Sequence, residues 1–588
     1  MWNVLGGRQR PEPGAAVPPT FAQSLLKRAR DARSEARRLP EKLRVATRLA
    51  RQSGLIWSLS RPGLVELLKA FATGAQNPSR IYRVHARNTP SKPALIWRGR
   101  TTTWAELDER IDRFASALER RAIGRRQSII LMLRNRQEFV EMGAAAARLG
   151  AAAVSISWRS TAAELQYLAN HSEARGIVVE PELLPVVEEA SGGLSETLLS
   201  NVFVVGPASA VPRTERVRAT PLDALLEEPP RPLATDTSRD EDAAVVVYTS
   251  GTTGKPKGAV RKFPKDTILA AMRFINETPM RADDVHLVTC PLYHSTAFAF
   301  LSLSHLLGAT AVIMEEFKPE PFLATVEKYG VTTTAMVPTM LHRVMELPEE
   351  VRRRYDTRSL RAVFSGGAPL PAPLAIEFMD AFGDILFNFY GATETGLVTL
   401  AKPEDLRAAP GTIGRALPGN DIRLLDDERR DVEPGGVGEL FVKNDLLVAG
   451  YHKDEAATQA SLVDGYFSVG DLARRDRDGR YFIEGRKRDM VISGGVNVYP
   501  AEVESVLEQH PAVAEVAVIG VPDREWGERV RAFVVLRPGA HVDEGDLKTF
   551  ARERLAGPKV PRDFVFVDAL PRNPTGKVLK QALRDRSL

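Results

Sequence analysis

The sequence predicts an α/β fold in which a large N-terminal domain of helix-covered β-sheets is followed by a small α+β C-terminal domain. Three observations predict it. At 588 residues the chain exceeds what one hydrophobic core holds, so at least two folded units are expected. From residue 81 to about 240, helical and strand periodicities alternate, the βαβ rhythm of a parallel sheet covered by helices. The last hundred residues instead mix two helices and two strands compactly. The expected boundaries are a basic, partly helical extension over 1–80, the large domain over 81–487 and the small domain over 488–588.

The extension comes first. Residues 1 to 20 hold four prolines and read as a disordered leader. From Phe21 to Trp57 the pattern turns helical, with Leu25, Ala29, Ala32 and Ala36 on one face and, after Pro40, Leu43, Ala46 and Leu49. Leu64 to Phe71 adds a third short amphipathic piece. Residues 1 to 61 carry 13 Lys and Arg against 4 Asp and Glu, net +9, whereas the rest of the chain is net −4. Such an arm suits an anionic membrane surface, a packed position on its own body, or an organellar targeting segment. The expectation is a cytoplasmic protein whose residues 1–61 attach peripherally to the inner face of a membrane; no nucleic-acid partner is expected.

Composition narrows the class. With 44% hydrophobic and 26% charged residues, the chain is built to form cores. Its one cysteine, Cys290, excludes an intrachain disulfide and a cysteine metal cluster, and reads as a small buried filler at a strand end. No run of eighteen apolar residues is present, so no membrane-spanning helix is expected.

Within the large domain, Thr103 to Arg121 and Gln137 to Leu149 read as helices. Ser128 to Leu133, Ala152 to Ser157, Gly176 to Val179 and Asn201 to Val205 read as strands. A proline-rich loop, Glu228 to Pro232, then leads to Val245-Val246-Val247-Tyr248, an apolar run that breaks into Thr249-Ser250-Gly251-Thr252-Thr253-Gly254-Lys255-Pro256-Lys257-Gly258. The glycines let backbone N–H groups converge, the hydroxyls donate, and Lys255 and Lys257 supply charge, which together make a phosphate cradle. The spacing is not that of a Walker A loop, and Pro256 keeps the stretch from opening a helix.

Further motifs follow. His286 to Thr289 reads as a strand leading to Tyr293-His294, and Ser295, Ala297, Phe298 and Leu301 suggest a helix that lines an apolar pocket. Ser365-Gly366-Gly367-Ala368-Pro369 and Asn388-Phe389-Tyr390-Gly391-Ala392-Thr393-Glu394 each pair an apolar strand with a glycine turn that lets backbone approach a ligand. Tyr390 offers a flat face to a purine, Thr393 a hydroxyl to a phosphate, and Glu394 a hard oxygen ligand for Mg²⁺. Asp471 follows a strand, Arg486 lies in Gly485-Arg486-Lys487-Arg488-Asp489, and Gly494 and Gly495 form a further turn. Two prolines and a glycine hold Lys577 on a rigid loop.

The run Tyr248 to Gly258, with these later motifs in the same order, resembles the adenylate-forming superfamily of acyl-CoA synthetases, aryl-CoA ligases, luciferases and peptide-synthetase adenylation domains. The resemblance spans residues 81 to 588. It implies a β-barrel-like subdomain in the large domain and a mobile C-terminal lid. It implies that residues 249–257 hold the β- and γ-phosphates of ATP, that His294 borders the acyl pocket, and that Gly367, Ala368, Pro369, Asn388, Tyr390 and Gly391 surround the nucleotide. Asp471 and Arg486 would contact the ribose, Arg488 would be the hinge, Gly494 and Gly495 would face the site during thioester formation, and Lys577 would be catalytic with Thr393 and Glu394. The resemblance implies an ATP-dependent acid:CoA ligase with ATP, Mg²⁺ and coenzyme A as cofactor and substrates and a carboxylic acid, a medium- to long-chain fatty acid, as partner; the alternatives are an acyl- or aryl-adenylating enzyme that loads a separate carrier protein and a catalytically silent nucleotide-binding regulator. The amino-acid activators of the family show an aspartate near here, whereas this chain has Ser295 after His294 and no acid until Glu315, which disfavours an α-amino acid. Many relatives carry Ser or Thr and then His shortly after the cradle, where this chain has Ala259 to Phe263, a departure that bears on subfamily rather than chemistry.

Overall fold

Apolar runs and amphipathic stretches become, in the computed structural model, two largely parallel sheets covered by helices. The structure describes residues 77–230, 245–249, 257–261, 266–448, 450–451, 454–493, 496–524, 526–555, 557–572 and 578–586, and before them 44–45, 47–49, 51, 54 and 59–72. Among these residues the strands form four sheets.

A nine-stranded sheet runs, edge to edge, through Arg415–Ala416, Gly396–Ala401, Leu386–Ala392, Ala362–Ser365, Thr333–Met336, Val285–Val288, Thr310–Ile313, Pro93–Trp97 and Arg100–Thr103. Its six central strands are parallel, with Val288 opposite both Ile313 and Ala335. Most of their residues are buried, which is why they read as continuous apolar runs. The seven-stranded sheet runs Ala219–Pro221, Val202–Val204, Ala174–Val179, Ser128–Met132, Ala152–Ser155, Val245–Thr249 and Lys257–Arg261. Helices predicted by periodicity appear within a residue of their expected ends, at Trp104–Arg120 and Gln137–Arg148. The first starts where it does because Thr103 and Glu106 form a reciprocal capping box.

A five-stranded antiparallel sheet of Asp421–Leu425, Val437–Lys443, Leu462–Val463, Tyr466–Arg475 and Tyr481–Arg486 lies beyond the large parallel sheet in sequence. The small C-terminal unit has its own core, in which Val503 and Leu507 of the helix Pro500–Leu507 and Leu547 and Ala551 of the helix Glu544–Arg552 meet Val518, Val530, Ala532 and Val534 of two long strands. It also contains Asp563–Phe566, paired parallel to Gly527–Leu536, a four-residue strand too short to be predicted from alternation. The architecture is thus a large sheet-and-helix domain with a small α+β domain.

The N-terminal arm differs from the expectation of a membrane-facing helix at one point. Leu49 is 3% exposed and packs among Phe274, Ile275 and Phe300 of the body. Asn276 Nδ2 donates to the Val45 carbonyl at 3.1 Å, and Arg48 to the Asn276 carbonyl at 3.4 Å. That leucine is therefore unavailable for insertion into lipid. Residues 1–43, with Leu25 to Leu43 of the predicted faces, lie outside the described residues. No helix among the described residues is long and apolar enough to cross a membrane.

Candidate active site

The strand Val285–Val288 is flanked by the next strand in sequence on one side and the following one on the other. Ligands in such sheets bind in the crevice outside the carboxyl ends at this switch point. The edge carries polar residues. After Val288, the chain turns through Tyr293 and His294, and His294 is the N-cap of the helix Ser295–Leu307. Burial pushes the His294 imidazole down to about 4, so it is neutral at pH 7. Its Nε2 is buried without a hydrogen-bond partner among the described residues, as is the Ser365 hydroxyl at the end of Ala362–Ser365. Unpaired buried polar atoms on one sheet edge point to a ligand that completes them.

Two strands farther along the sheet from Thr333–Met336, Leu386–Ala392 delivers Asn388, Tyr390 and Gly391, with Thr393 and Glu394 immediately after. Asn388 is buried and donates to the Thr412 carbonyl at 2.9 Å. The Tyr390 hydroxyl donates to Asp471 Oδ2 at 2.7 Å, and Arg486 Nε lies 3.1 Å from Asp471 Oδ1. Asp471 and Arg486 are directly opposed on neighbouring strands of the five-stranded sheet. Each Asp471 oxygen thus has one partner, and the carboxylate keeps capacity for two more donors. Burial, with the Asp471 charge second, raises the Tyr390 hydroxyl well above its ordinary range, so it remains a donor. The Thr393 hydroxyl stands 3.4 Å from that of Ser295, which links this strand end to the His294 helix.

Glu394 is buried, and its Oε1 accepts from the Tyr451 hydroxyl at 3.1 Å. One carboxylate suits Mg²⁺, which dehydrates reluctantly and is held by one or two carboxylates together with substrate phosphates. No group of three or more His, Cys, Asp or Glu able to cage a metal exists among the described residues, in keeping with a metal shared with a phosphate chain. The residues present fit the ion.

The phosphate motif is a hairpin. Val245–Thr249 and Lys257–Arg261 pair antiparallel, with Thr249 opposite Lys257 and Tyr248 opposite Gly258. Lys257 therefore begins the returning strand instead of lying in the loop, because the cradle closes earlier than its composition suggests. Ser250, Gly251, Thr252, Thr253, Gly254 and Lys255 lie outside the described residues, as do Gly494, Gly495 and Lys577.

One further reading of the sequence is revised. Ala297 and Leu301, expected to line a pocket, are buried in the core with Val288, Leu292 and Tyr293, while Phe300, Leu303 and Leu307 of the same helix join a second core. The glycines at 366 and 391 are required by packing as well: a Cβ on Gly366 would overlap the Phe389 ring, and one on Gly391 the Gly396 carbonyl oxygen. Gly367, at φ +80°, is the one in its motif that needs a left-handed backbone, and Ala368 and Pro369 follow it at the surface side of the sheet edge. Cys290 is a filler as expected: it is buried, and burial raises its thiol to about 12. Tyr451 was missed altogether, for a tyrosine between Gly450 and His452 carries no local signal.

Comparison with known proteins gives the family. A family model described as AMP-binding enzyme matches residues 82–452, and one described as AMP-binding enzyme C-terminal domain matches residues 502–577. A fatty acid–[acyl-carrier-protein] ligase, ScoC of Streptomyces coeruleorubidus, is 33% identical over 85% of this chain and 95% of its own length. A feruloyl-CoA synthase of Amycolatopsis sp. is 35% identical over 85% of this chain and 97% of its own. Among solved structures, ATP-bound MatB from Rhodopseudomonas palustris superposes with a TM-score of 0.77 at 30% identity, covering 87% of this chain and 99% of that one. The chain therefore belongs to the AMP-binding, adenylate-forming enzyme family, whose acyl- and aryl-CoA ligases use ATP, Mg²⁺ and coenzyme A.

Proposed function

We propose that the chain is an AMP-forming acid:CoA ligase whose substrate is a medium- to long-chain fatty acid. The observation that carries the adenylation half is the connected set Tyr390–Asp471–Arg486, which joins the end of the strand Leu386–Ala392 to the five-stranded sheet, with Glu394 two residues beyond that strand. In the first half-reaction a carboxylate oxygen attacks the α-phosphorus of ATP, the bond from that phosphorus to the α,β-bridging oxygen breaks, and acyl-adenylate and pyrophosphate form. In the second, the CoA thiolate attacks the acyl carbon and AMP leaves.

Both first-step reactants are anionic, so positive charge and donors must converge on the developing transition state. Lys577 supplies charge to the carboxylate oxygen and α-phosphate, and Thr393 donates to a phosphate. Residues 249–257 cradle the β- and γ-phosphates. Glu394 holds Mg²⁺, which would neutralise phosphate charge there. Asp471 and Arg486 fix the ribose, while Tyr390, Asn388, Gly391 and the turn Gly367-Ala368-Pro369 enclose the base. His294, neutral, forms a wall of the acyl site. The small domain, from residue 488 on, closes over the site to exclude water and reorients about Arg488, bringing Gly494 and Gly495 inward for thioester formation.

The fatty acid assignment is supported by the acid named for ScoC; the CoA acceptor is supported by the synthase of Amycolatopsis. A carrier protein supplied separately is the second reading, favoured by the acceptor named for ScoC. The remaining basic arm, residues 1–43, is proposed to attach to anionic bilayers, in which long acids partition. A competition among fatty and aromatic acids, with ATP and either CoA or a carrier as acceptor and products read by mass spectrometry, tests the first two assignments, and flotation on anionic vesicles tests the third. Preference for an aromatic acid would overturn the first, and product on carrier alone the second. Equal flotation on anionic vesicles with and without residues 1–43 would overturn the third.

A further inference from the structure

Tyr451 touches both sides of the phosphate end of the site. Its hydroxyl donates to Glu394 Oε1 at 3.1 Å. Its backbone forms an antiparallel bridge with Ala259, on the strand that returns from the phosphate hairpin. Neighbouring atoms repeat both contacts: Val448 N donates to the Glu394 carbonyl at 2.9 Å, and Val260 N to the Gly450 carbonyl at 3.4 Å. Tyr451 is itself fixed, for its N–H donates to Thr458 Oγ1 at 2.9 Å and its ring lies 6.1 Å from that of Phe467. Burial, with the Glu394 charge second, raises its hydroxyl above the ordinary range, so it stays a donor at any working pH.

We propose that Tyr451 is a positioning residue that orients the Glu394 carboxylate and registers the phosphate hairpin against it, so that a divalent cation and the triphosphate are bound as one unit. This rests on the reading of Glu394 as the Mg²⁺ ligand and of residues 249–257 as the triphosphate cradle. A ligating carboxylate left without its hydrogen-bond partner rotates among rotamers, and loss of such a partner costs about 10–100-fold in metal affinity. The two contacts are also separable. Tyr451→Phe removes the hydroxyl and keeps the ring and backbone bridge, whereas Tyr451→Ala also removes the ring that packs on Phe467 and steadies the bridging backbone.

The test is calorimetric binding of ATP to the full-length protein across a Mg²⁺ titration, with Mn²⁺ binding in the presence of ATP followed by electron paramagnetic resonance and thermal melting followed in parallel. Tyr451→Phe should raise the Mg²⁺ and Mn²⁺ concentrations for half-maximal effect by about 10-fold. At saturating Mg²⁺ its ATP affinity should return to within about twofold of wild type, with an unchanged melting temperature. Tyr451→Ala should weaken ATP binding even at saturating Mg²⁺. The comparison variant Glu394→Gln should move the metal curve further than either. If Tyr451→Phe superposes on wild type while Glu394→Gln shifts, Tyr451 is only a packing residue and the proposal is wrong. If Glu394→Gln leaves the metal curve in place, the reading of Glu394 as metal ligand fails first.

Discussion

The two parallel sheets arise from one rhythm of strand and helix, yet they serve the site differently. The nine-stranded sheet delivers side chains: His294, Ser365, Tyr390, Thr393 and Glu394 all sit at or just beyond carboxyl ends of its strands. The seven-stranded sheet delivers a hairpin from its edge. Its central strands end in residues that satisfy one another. Arg134 pairs with Glu180 at 2.7 Å and lies 4.7 Å over the Trp158 ring, and Arg136 pairs with Glu138 at 2.8 Å. The first edge instead holds buried polar atoms, His294 Nε2 and Ser365 Oγ, with no partner among the described residues. A completed edge is structural, and an edge left short of partners is where a ligand fits.

That contrast breaks most visibly at the proposed chemistry. Lys577→Ala is expected to slow adenylation by about 10²–10³-fold, the scale of one lost transition-state contact, while thioester formation from supplied acyl-adenylate suffers much less. Separate assays of the two half-reactions check it, and equal losses would make Lys577 a residue of general folding or binding. Next in size is Asp471→Asn, which removes the charge that engages Arg486 and the proposed ribose acceptor. A hydrogen bond to a charged group is worth about 1.5–3 kcal/mol, so the KM for ATP should rise by about 10–100-fold. A rise in the KM for the acid alone would place Asp471 elsewhere in the site.

The contrast sharpens on the structural side. Arg110 meets the fully buried Glu141 through two contacts of 2.5 and 3.0 Å, between the helices Trp104–Arg120 and Gln137–Arg148. Arg110→Ala leaves that carboxylate buried without its cation and should cost about 3–5 kcal/mol of stability. Rates per folded molecule should be unchanged, since Arg110 touches no residue of the proposed site. Denaturant melts beside active-site-titrated kinetics measure both, and a fall in kcat at unchanged stability would join the seven-stranded side to the chemistry.

Strands and helices were legible because periodicity is local: Ser128–Met132 and Gln137–Arg148 fall where alternation and 3.6-residue spacing place them. Motif residues were legible as types. Their partners were not, for these are set by distant chain. Nothing near Glu394 in sequence announces Tyr451, 57 residues away, and nothing near Gly366 announces the Phe389 ring that requires it to be glycine. The same holds for the arm, where Leu49 looked like one leucine of a free amphipathic face until Phe274 and Phe300 were found around it. Composition likewise overextended the phosphate loop, because a lysine and a glycine can begin a strand when an apolar partner strand such as Val245–Thr249 stands ready to pair with them.

The central claim is that this chain joins an acid to AMP before any thiol acts. The direct measurement is incorporation of labelled pyrophosphate into ATP by the full-length protein with Mg²⁺ and no CoA, across a panel of fatty and aromatic acids. The account predicts exchange that depends strictly on a cognate acid and, once CoA is added, release of AMP and acyl-CoA in equal amounts. ATP binding without acid-dependent exchange for any acid of the panel would contradict it, and would make the chain a nucleotide-binding protein that does not adenylate.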